Sequence, residues 1–275
     1  MRLGIVSDVH LARVPAPAAS WHNPFDFAGL PARIDAAGAA FDRAAVDAVV
    51  VCGDVAHAGD EASSRAVLER LSARVERPVL VVAGNHDCLE RDDQLARCAT
   101  GRCAMLTTAG VEVGGVRVAG VGIEHDADAD AFRWTGDGEL AAGERPLVVA
   151  SHFPVVSRAE RLAERGLAYP GDLANRHALE ERLTGAGPVV VLSGHIHARD
   201  SHAHGSLLQL SAGALVEAPY EVAIVDVVAA SPGIRVRRRA LVLGPAEARH
   251  DPVLAPADET WALGAGGWRR TERAA

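Results

Sequence analysis

The chain has no lysine: all 28 of its basic residues are arginine, set against 36 acids for a net charge of −8. An acidic balance of that size argues against a surface that condenses on nucleic acid or anionic lipid. The missing lysine, beside abundant alanine, reads as coding bias and carries no functional message. Long apolar runs are also missing. None approaches the roughly 18 residues of a membrane span, and the opening MRLGIVSDVH is a strand pattern without the charged start and apolar stretch of a signal peptide. A cytoplasmic protein with no membrane partner is the expectation. Cysteine is sparse, with Cys52, Cys88, Cys98 and Cys103 showing no CxxC spacing, so free thiols are expected rather than bridges. Internal repeats and dividing linkers are absent from the 275 residues, which favours one α/β domain.

What the sequence does contain is an alternation of short apolar runs with helical patterns. Leu3–Val6, Val46–Cys52 and Val79–Ala83 read as buried strands, with helices over Pro31–Ala44 and Ser63–Val75 between them. Ile34, Ala37 and Phe41 share one helical face, as do Val67, Leu71 and Val75, and Pro31 suits a first turn. Gly114-Gly115 within VEVGGVRVAGV signals a hairpin. Pro146–Ala150 and Pro188–Leu192 are again buried strands, with a helix near His177–Leu183 between them. Leu207–Leu210, Val222–Val228 and Ile234–Leu243 follow as strands with no further helix. The pattern predicts an α/β fold in which two mixed β-sheets are flanked by helices, a four-layer α-β-β-α sandwich over residues 1–244. Residues 245–275 lose periodicity and are expected to form an irregular tail, tied down in part by Trp261 and Trp268. Arg235 and Arg237 to Arg239 read as a solvated edge strand guarded by charge.

Five of the apolar runs end in polar clusters: Ser7-Asp8-Val9-His10, Gly53-Asp54, Gly84-Asn85-His86-Asp87, Ser151-His152 and Gly194-His195-Ile196-His197. In an open α/β sheet the crevice beyond the carboxyl ends of the strands binds ligands, so these ends can meet at one site. Carboxylate, amide and imidazole donors without thiolate suit Zn, Mn or Fe. One ion would not need so many donors, whereas two ions about 3.5–4 Å apart that share a carboxylate would use them. The i, i+2 spacing of Asp8 with His10 and of His195 with His197 places each pair on one side of an extended backbone.

The ordered set DVH, GDVAHAG, GNHD, SHFP and GHIH resembles the calcineurin-like metallophosphoesterase superfamily over roughly residues 1 to 230. GDVAHAG, GNHD, GHIH and Leu173-Ala174-Asn175 are similar to its class III cyclic nucleotide phosphodiesterases. The resemblance implies that Asp8, His10 and His197 bind one metal, that Asn85, His152 and His195 bind a second, and that Asp54 bridges them. It implies two divalent or mixed-valence ions (Mn, Fe or Zn), a bridging hydroxide as nucleophile, and His86 as general acid, with Asp87 orienting a neighbouring group. GDVAHAG lacks the acid and arginine of protein Ser/Thr phosphatases. His57 stands where purple acid phosphatases carry a tyrosine ligand, so an iron–tyrosinate centre is not expected. Trp21 and His22, in an insertion after DVH, join His57 and His125 as candidate substrate contacts. The expected activity is hydrolysis of a small soluble phosphodiester of the cyclic nucleotide or glycerophosphodiester type. A phosphomonoesterase is the alternative, ahead of a nuclease or a catalytically silent scaffold subunit; a homo-oligomer stays open.

Overall fold

The computed structural model describes residues 1–12, 18–88, 94–136, 140, 146–230, 233–244 and 248–271. The chain opens with β1 (Arg2–Val6), α1 (Leu30–Arg43), β2 (Ala48–Cys52), α2 (Glu61–Arg74) and β3 (Val79–Val82), then a 3-10 turn at His86–Cys88. After α3 (Gln94–Cys98) and β4 (Cys103–Met105) come two hairpins, β5 with β6 (Val111–Val113, Val116–Gly120) and β7 with β8 (Gly122–Asp126, Ala131–Thr135). β9 (Leu147–Ala150), α4 (Ala159–Ala163), α5 (Arg176–Thr184) and β10 (Val189–Ser193) follow. Every later element among the described residues is a strand: β11 (Asp200–His204), β12 (Leu207–Ser211), β13 (Glu221–Ala230), β14 (Gly233–Val242), β15 (Asp258–Gly264) and β16 (Gly267–Thr271).

β1, β2 and β3 run parallel in the middle of an eight-stranded sheet ordered β16-β15-β14-β13-β1-β2-β3-β4. Their continuous apolar runs follow from burial on both faces. Val6, Val49, Val51, Val79 and Val81 face Ile34, Phe41, Val67 and Leu71 of α1 and α2, whereas Leu3, Ile5, Val50, Cys52, Leu80 and Val82 face the other sheet. That second sheet, ordered β11-β12-β10-β9-β6-β5, meets them with Val118, Val148, Val190, Leu192, Leu208 and Leu210. Its far face packs Val149, Val189 and Val191 on Leu179 and Leu183 of α5. The expected helix–sheet–sheet–helix layering is thus present, and Asp60 starts α2 by accepting the Ser63 backbone N–H at 2.8 Å. The four cysteines are buried thiols with no disulfide between them, and no helix among the described residues is long and apolar enough to cross a membrane.

Two expectations fail at the C-terminal end. Residues 258–271 are not irregular: β15 extends the first sheet antiparallel to β14, β16 pairs antiparallel with β15, and Trp261 and Trp268 turn into the core between the sheets. Their glycine-rich connection, Gly264 to Gly267, is a hairpin turn whose composition hides the flanking strands. Consequently β14 is not an edge. Arg237 pairs with Asp258 of β15 at 2.7 Å, whereas Arg238, the next residue on the opposite face, is 1% exposed and pairs with Glu259 at 2.7 Å. A strand alternates its faces, so adjacent arginines meet different surroundings.

Candidate metal centre

Both sheets send strand ends into one crevice: the loops after β1, β2 and β3 from the first, and those after β9 and β10 from the second. Extended backbone is not what converges the i, i+2 pairs, contrary to the simple spacing argument. Asp8, His10, Asp54, His195 and His197 have φ of +52°, +49°, +51°, +67° and +48°. Each non-glycine residue held in this left-handed region costs about 1–3 kcal/mol, a cost borne where the surrounding structure enforces it. Loop-to-loop hydrogen bonds do so here: Asp8 N–H to Gly53 O at 3.2 Å, His10 N–H to Asp54 O at 2.9 Å, and His195 N–H to Asp8 Oδ1 at 3.1 Å. The glycine before a cluster lets the loops touch. A Cβ at Gly194 would stand 1.7 Å from Ser7 Oγ, and one at Gly84 would stand 2.2 Å from Asp54 Oδ1.

The seven expected metal-binding side chains lie together in two groups. In the first, His197 Nε2 is 3.4 Å from Asp8 Oδ1 and 3.3 Å from His10 Nε2. In the second, Asn85 Oδ1 is 2.9 Å from His152 Nε2 and 3.0 Å from His195 Nδ1. Asp54 Oδ2 joins them, 3.3 Å from His10 Nε2 and 3.4 Å from His152 Nε2. Orientation is set from behind. His152 Nδ1 donates to the Cys52 carbonyl at 2.8 Å, His195 Nε2 to the Gly171 carbonyl at 3.2 Å, and His197 Nδ1 to Glu217 Oε1 at 2.8 Å. In all three imidazoles the remaining nitrogen turns to the crevice.

The electrostatics ask for positive charge at this point. Asp8 and Asp54 are 0% and 2% exposed. Burial alone pushes their carboxyl groups up, yet His197 beside Asp8, and His152 and His10 beside Asp54, hold both below the usual carboxylate range. Against the effect of their own burial, Asp54 raises His152 to about 9 and Asp8 raises His197 to about 10. Burial pushes His10 well down and His195 down to about 3. Each group therefore pairs one imidazole that takes a proton with one that stays neutral, and nitrogens face each other at 3.3 Å in both. Oxygen and imidazole donors converging on two buried carboxylates fit two borderline cations, one per group with Asp54 between them.

The other expected site residues divide. The crevice holds a cavity of about 240 Å³ lined by His10, Asp54, Asn85, His86, His195 and His197, with Trp21, Phe25 and Pro170 as its less polar walls. His86 donates its backbone N–H to Asp54 Oδ1 at 2.9 Å and its Nδ1–H to the His57 carbonyl at 2.6 Å. The His57 ring stacks on that of His86 at 5.4 Å, outside the lining. Asp87 does not face the cavity: its carboxylate accepts the backbone N–H groups of Gly84, Val55 and Ala56 at 2.9, 3.1 and 3.3 Å. It braces the β2 and β3 loops, and burial with the nearby Asp54 pushes it up to about 6. His22 is buried with Nε2 on the Ile196 carbonyl at 2.9 Å, and His125 packs beside Phe132 on β7, 3.3 Å from Asp130; neither lines the cavity. Phe25, Pro170 and Glu217 were not foreseen. A single acid in the apolar stretch Ala214-Leu215-Val216-Glu217-Ala218 was the available signal for the last.

The family model for calcineurin-like phosphoesterases matches residues 1–199. The chain therefore belongs to the calcineurin-like metallophosphoesterases. No curated protein matches it. Among solved structures it is similar to a dimetal phosphatase from Danio rerio, at 15% identity and a TM-score of 0.64 over 94% of this chain and 98% of that one. A protein from Thermus thermophilus aligns at 14% identity and a TM-score of 0.53, covering 82% and 93% of the two chains. At such identities the likeness is one of fold.

Proposed function

We propose that this protein is a dinuclear metal-dependent phosphodiesterase that hydrolyses a small soluble phosphodiester of the cyclic nucleotide or glycerophosphodiester type. The observation that carries the reading is Asp54 Oδ2 placed between two groups of imidazole and oxygen donors. Asp8, His10 and His197 would hold one ion, and Asn85, His152 and His195 the other. Two such cations, when bound, activate water at neutral pH and offset charge on the phosphoryl oxygens. The chain supplies the rest. His86 lines the cavity with Nδ1–H fixed on a carbonyl, which leaves Nε2 as the atom that can deliver a proton to the departing oxygen. Asp87 and the His57 carbonyl keep that loop in place, and Trp21 and Phe25 form the wall available to an organic substituent.

Support for a diester comes from the similarity of GDVAHAG, GNHD and GHIH to class III cyclic nucleotide phosphodiesterases. A phosphomonoesterase is the second reading, favoured by the name of the Danio rerio relative. A cytoplasmic setting belongs to the same proposal, supported by four buried thiols outside any disulfide. The test is metal content together with rates on bis- and mono-p-nitrophenyl phosphate. Two ions per chain with faster diester turnover are expected; a faster monoester rate selects the second reading, and no metal-dependent hydrolysis of either overturns both. In the same assay His86→Ala should lose about 10²- to 10⁴-fold on an alkyl leaving group and far less on p-nitrophenolate. Equal losses remove its role as the acid.

A further inference from the structure

Glu217 is fully buried, in the loop before β13, and belongs to none of the five motifs. Its two carboxylate oxygens face two different donors. Oε1 accepts the Nδ1–H of His197 at 2.8 Å, and Oε2 accepts the backbone N–H of Asn23 at 2.6 Å. With Nδ1 engaged, His197 presents Nε2 to Asp8 and His10. Asn23 is itself buried and pinned, its side-chain amide donating to the Ala218 carbonyl and its Oδ1 accepting the Arg249 N–H. Two residues earlier, Trp21 stands at the cavity wall.

We propose that Glu217 is a positioning residue: it fixes the ring orientation and tautomer that make His197 Nε2 a ligand of the first ion, and it ties that ligand to the segment carrying Trp21. The proposal rests on the metal-site reading above. A carboxylate is required because two N–H donors converge on it. Glutamine offers one oxygen, so it can satisfy His197 or Asn23 and must turn its NH₂ toward the other donor. Glu217→Gln should therefore behave as a loss even though its shape is kept.

The experiment titrates metal-free wild type and Glu217→Gln with Mn²⁺ or Zn²⁺ by calorimetry. Wild type is expected to take up two ions. The variant should lose about 10- to 100-fold in affinity for one of them and keep the other, a selectivity that a general loosening of the fold does not produce. Equal affinities in the two proteins, or an equal loss at both sites, overturn the proposal while the metal reading stands. If wild type binds no ion, the metal reading fails and takes this one with it. A second measurement needs no variant: in zinc-loaded wild type with ¹⁵N-labelled histidine, His197 should show a slowly exchanging Nδ1–H and a metal-bound Nε2. A rapidly exchanging Nδ1–H, or coordination through Nδ1, overturns the proposal even if the variant does not fold.

Discussion

The two groups of candidate ligands have similar side chains but different support. Behind the second group stand backbone carbonyls, those of Cys52 and Gly171, which receive the far nitrogens of His152 and His195. Behind the first stands a side chain, Glu217 on His197, while His10 Nδ1 is buried with no hydrogen-bond partner. A carbonyl is supplied by any sequence that makes the loop, whereas a buried carboxylate depends on one residue and carries charge. Two imidazoles of equal ligand role thus rest on supports of unequal cost. Asp54 is the exception to the division, because one of its oxygens reaches both groups.

Removing the shared member should have the largest effect. Asp54→Ala takes the common oxygen from both groups and the acceptor from the His86 backbone N–H. Metal analysis should find both ions weakened together, with metal-dependent hydrolysis reduced to background; retention of one tightly held ion would show that the groups are independent. Next in size is the contrast between supports, read from urea unfolding of metal-free proteins. His197→Ala takes the proton-carrying imidazole from two buried carboxylates, Asp8 and Glu217, and breaking one such buried pair costs about 3–5 kcal/mol. His152→Ala takes the proton-carrying imidazole from one buried carboxylate, Asp54, which keeps His10 beside it, and leaves the Cys52 carbonyl short of a donor at a further cost of about 1–3 kcal/mol. Cavity terms are similar for two fully buried rings, so His197→Ala should be the less stable. The reverse order would remove the distinction drawn between the groups.

The difference in support also explains what could be read beforehand. Both sheets, α1, α2 and α5 follow from apolar runs and helical faces, because strands covered on both sides need unbroken Val and Leu. Motif order brought out all seven candidate ligands and His86. Left-handed backbone at Asp8, His10, Asp54, His195 and His197 was not legible, since nothing in a short polar motif distinguishes an extended spacing from two positive φ values. Asp87 sits inside GNHD, yet its carboxylate serves three backbone N–H groups, a use that only the meeting of two loops reveals. Glu217 lies outside every motif, and its partners are 20 and 194 positions away in sequence. β15 and β16 were hidden because two tryptophans and a glycine-rich turn make a weak periodic signal.

Each group also sets a pH dependence on the metal-free protein. The neighbouring carboxylates raise His152 to about 9 and His197 to about 10, against about 6.5 for an unfolded histidine. Groups raised on folding stabilise fully below pH about 6.5, and that stability is lost as the pH climbs through 9 and 10. His195, which burial lowers to about 3, works in the other direction: below about 6.5 the unfolded chain takes a proton that the folded one refuses. Stability of the EDTA-treated protein should therefore be greatest near pH 6–7 and fall on both sides. Saturating metal replaces the protons on His152 and His197 and should flatten the alkaline arm, so the gain in Tm on adding metal should grow from pH 6 to 9. A metal-free Tm that rises steadily across that interval would mean the two imidazoles are not proton carriers.

The smallest expected effect concerns the walls, which differ between the groups as the supports do. Phe25 lies against the first group, stacked on His197 at 5.6 Å, whereas Phe153 lies against the second, 3.9 Å from His195. Both are ring contacts to candidate ligands, and of the two Phe25 also lines the cavity. Trp21 is different: it is 39% exposed and stands at the cavity with its indole available. A substituent resting on that ring gains about 0.5–1.5 kcal/mol, equivalent to roughly a two- to tenfold change in binding. Trp21→Ala should raise KM by that factor for a diester with a planar substituent and leave kcat and metal content unchanged. The same variant assayed on a diester with two methyl groups should show no change in KM, because contact with the wall is then lost in both proteins. A fall in kcat with both substrates would instead assign Trp21 to the support of the first group, through Asn23 and Glu217, and not to the substrate.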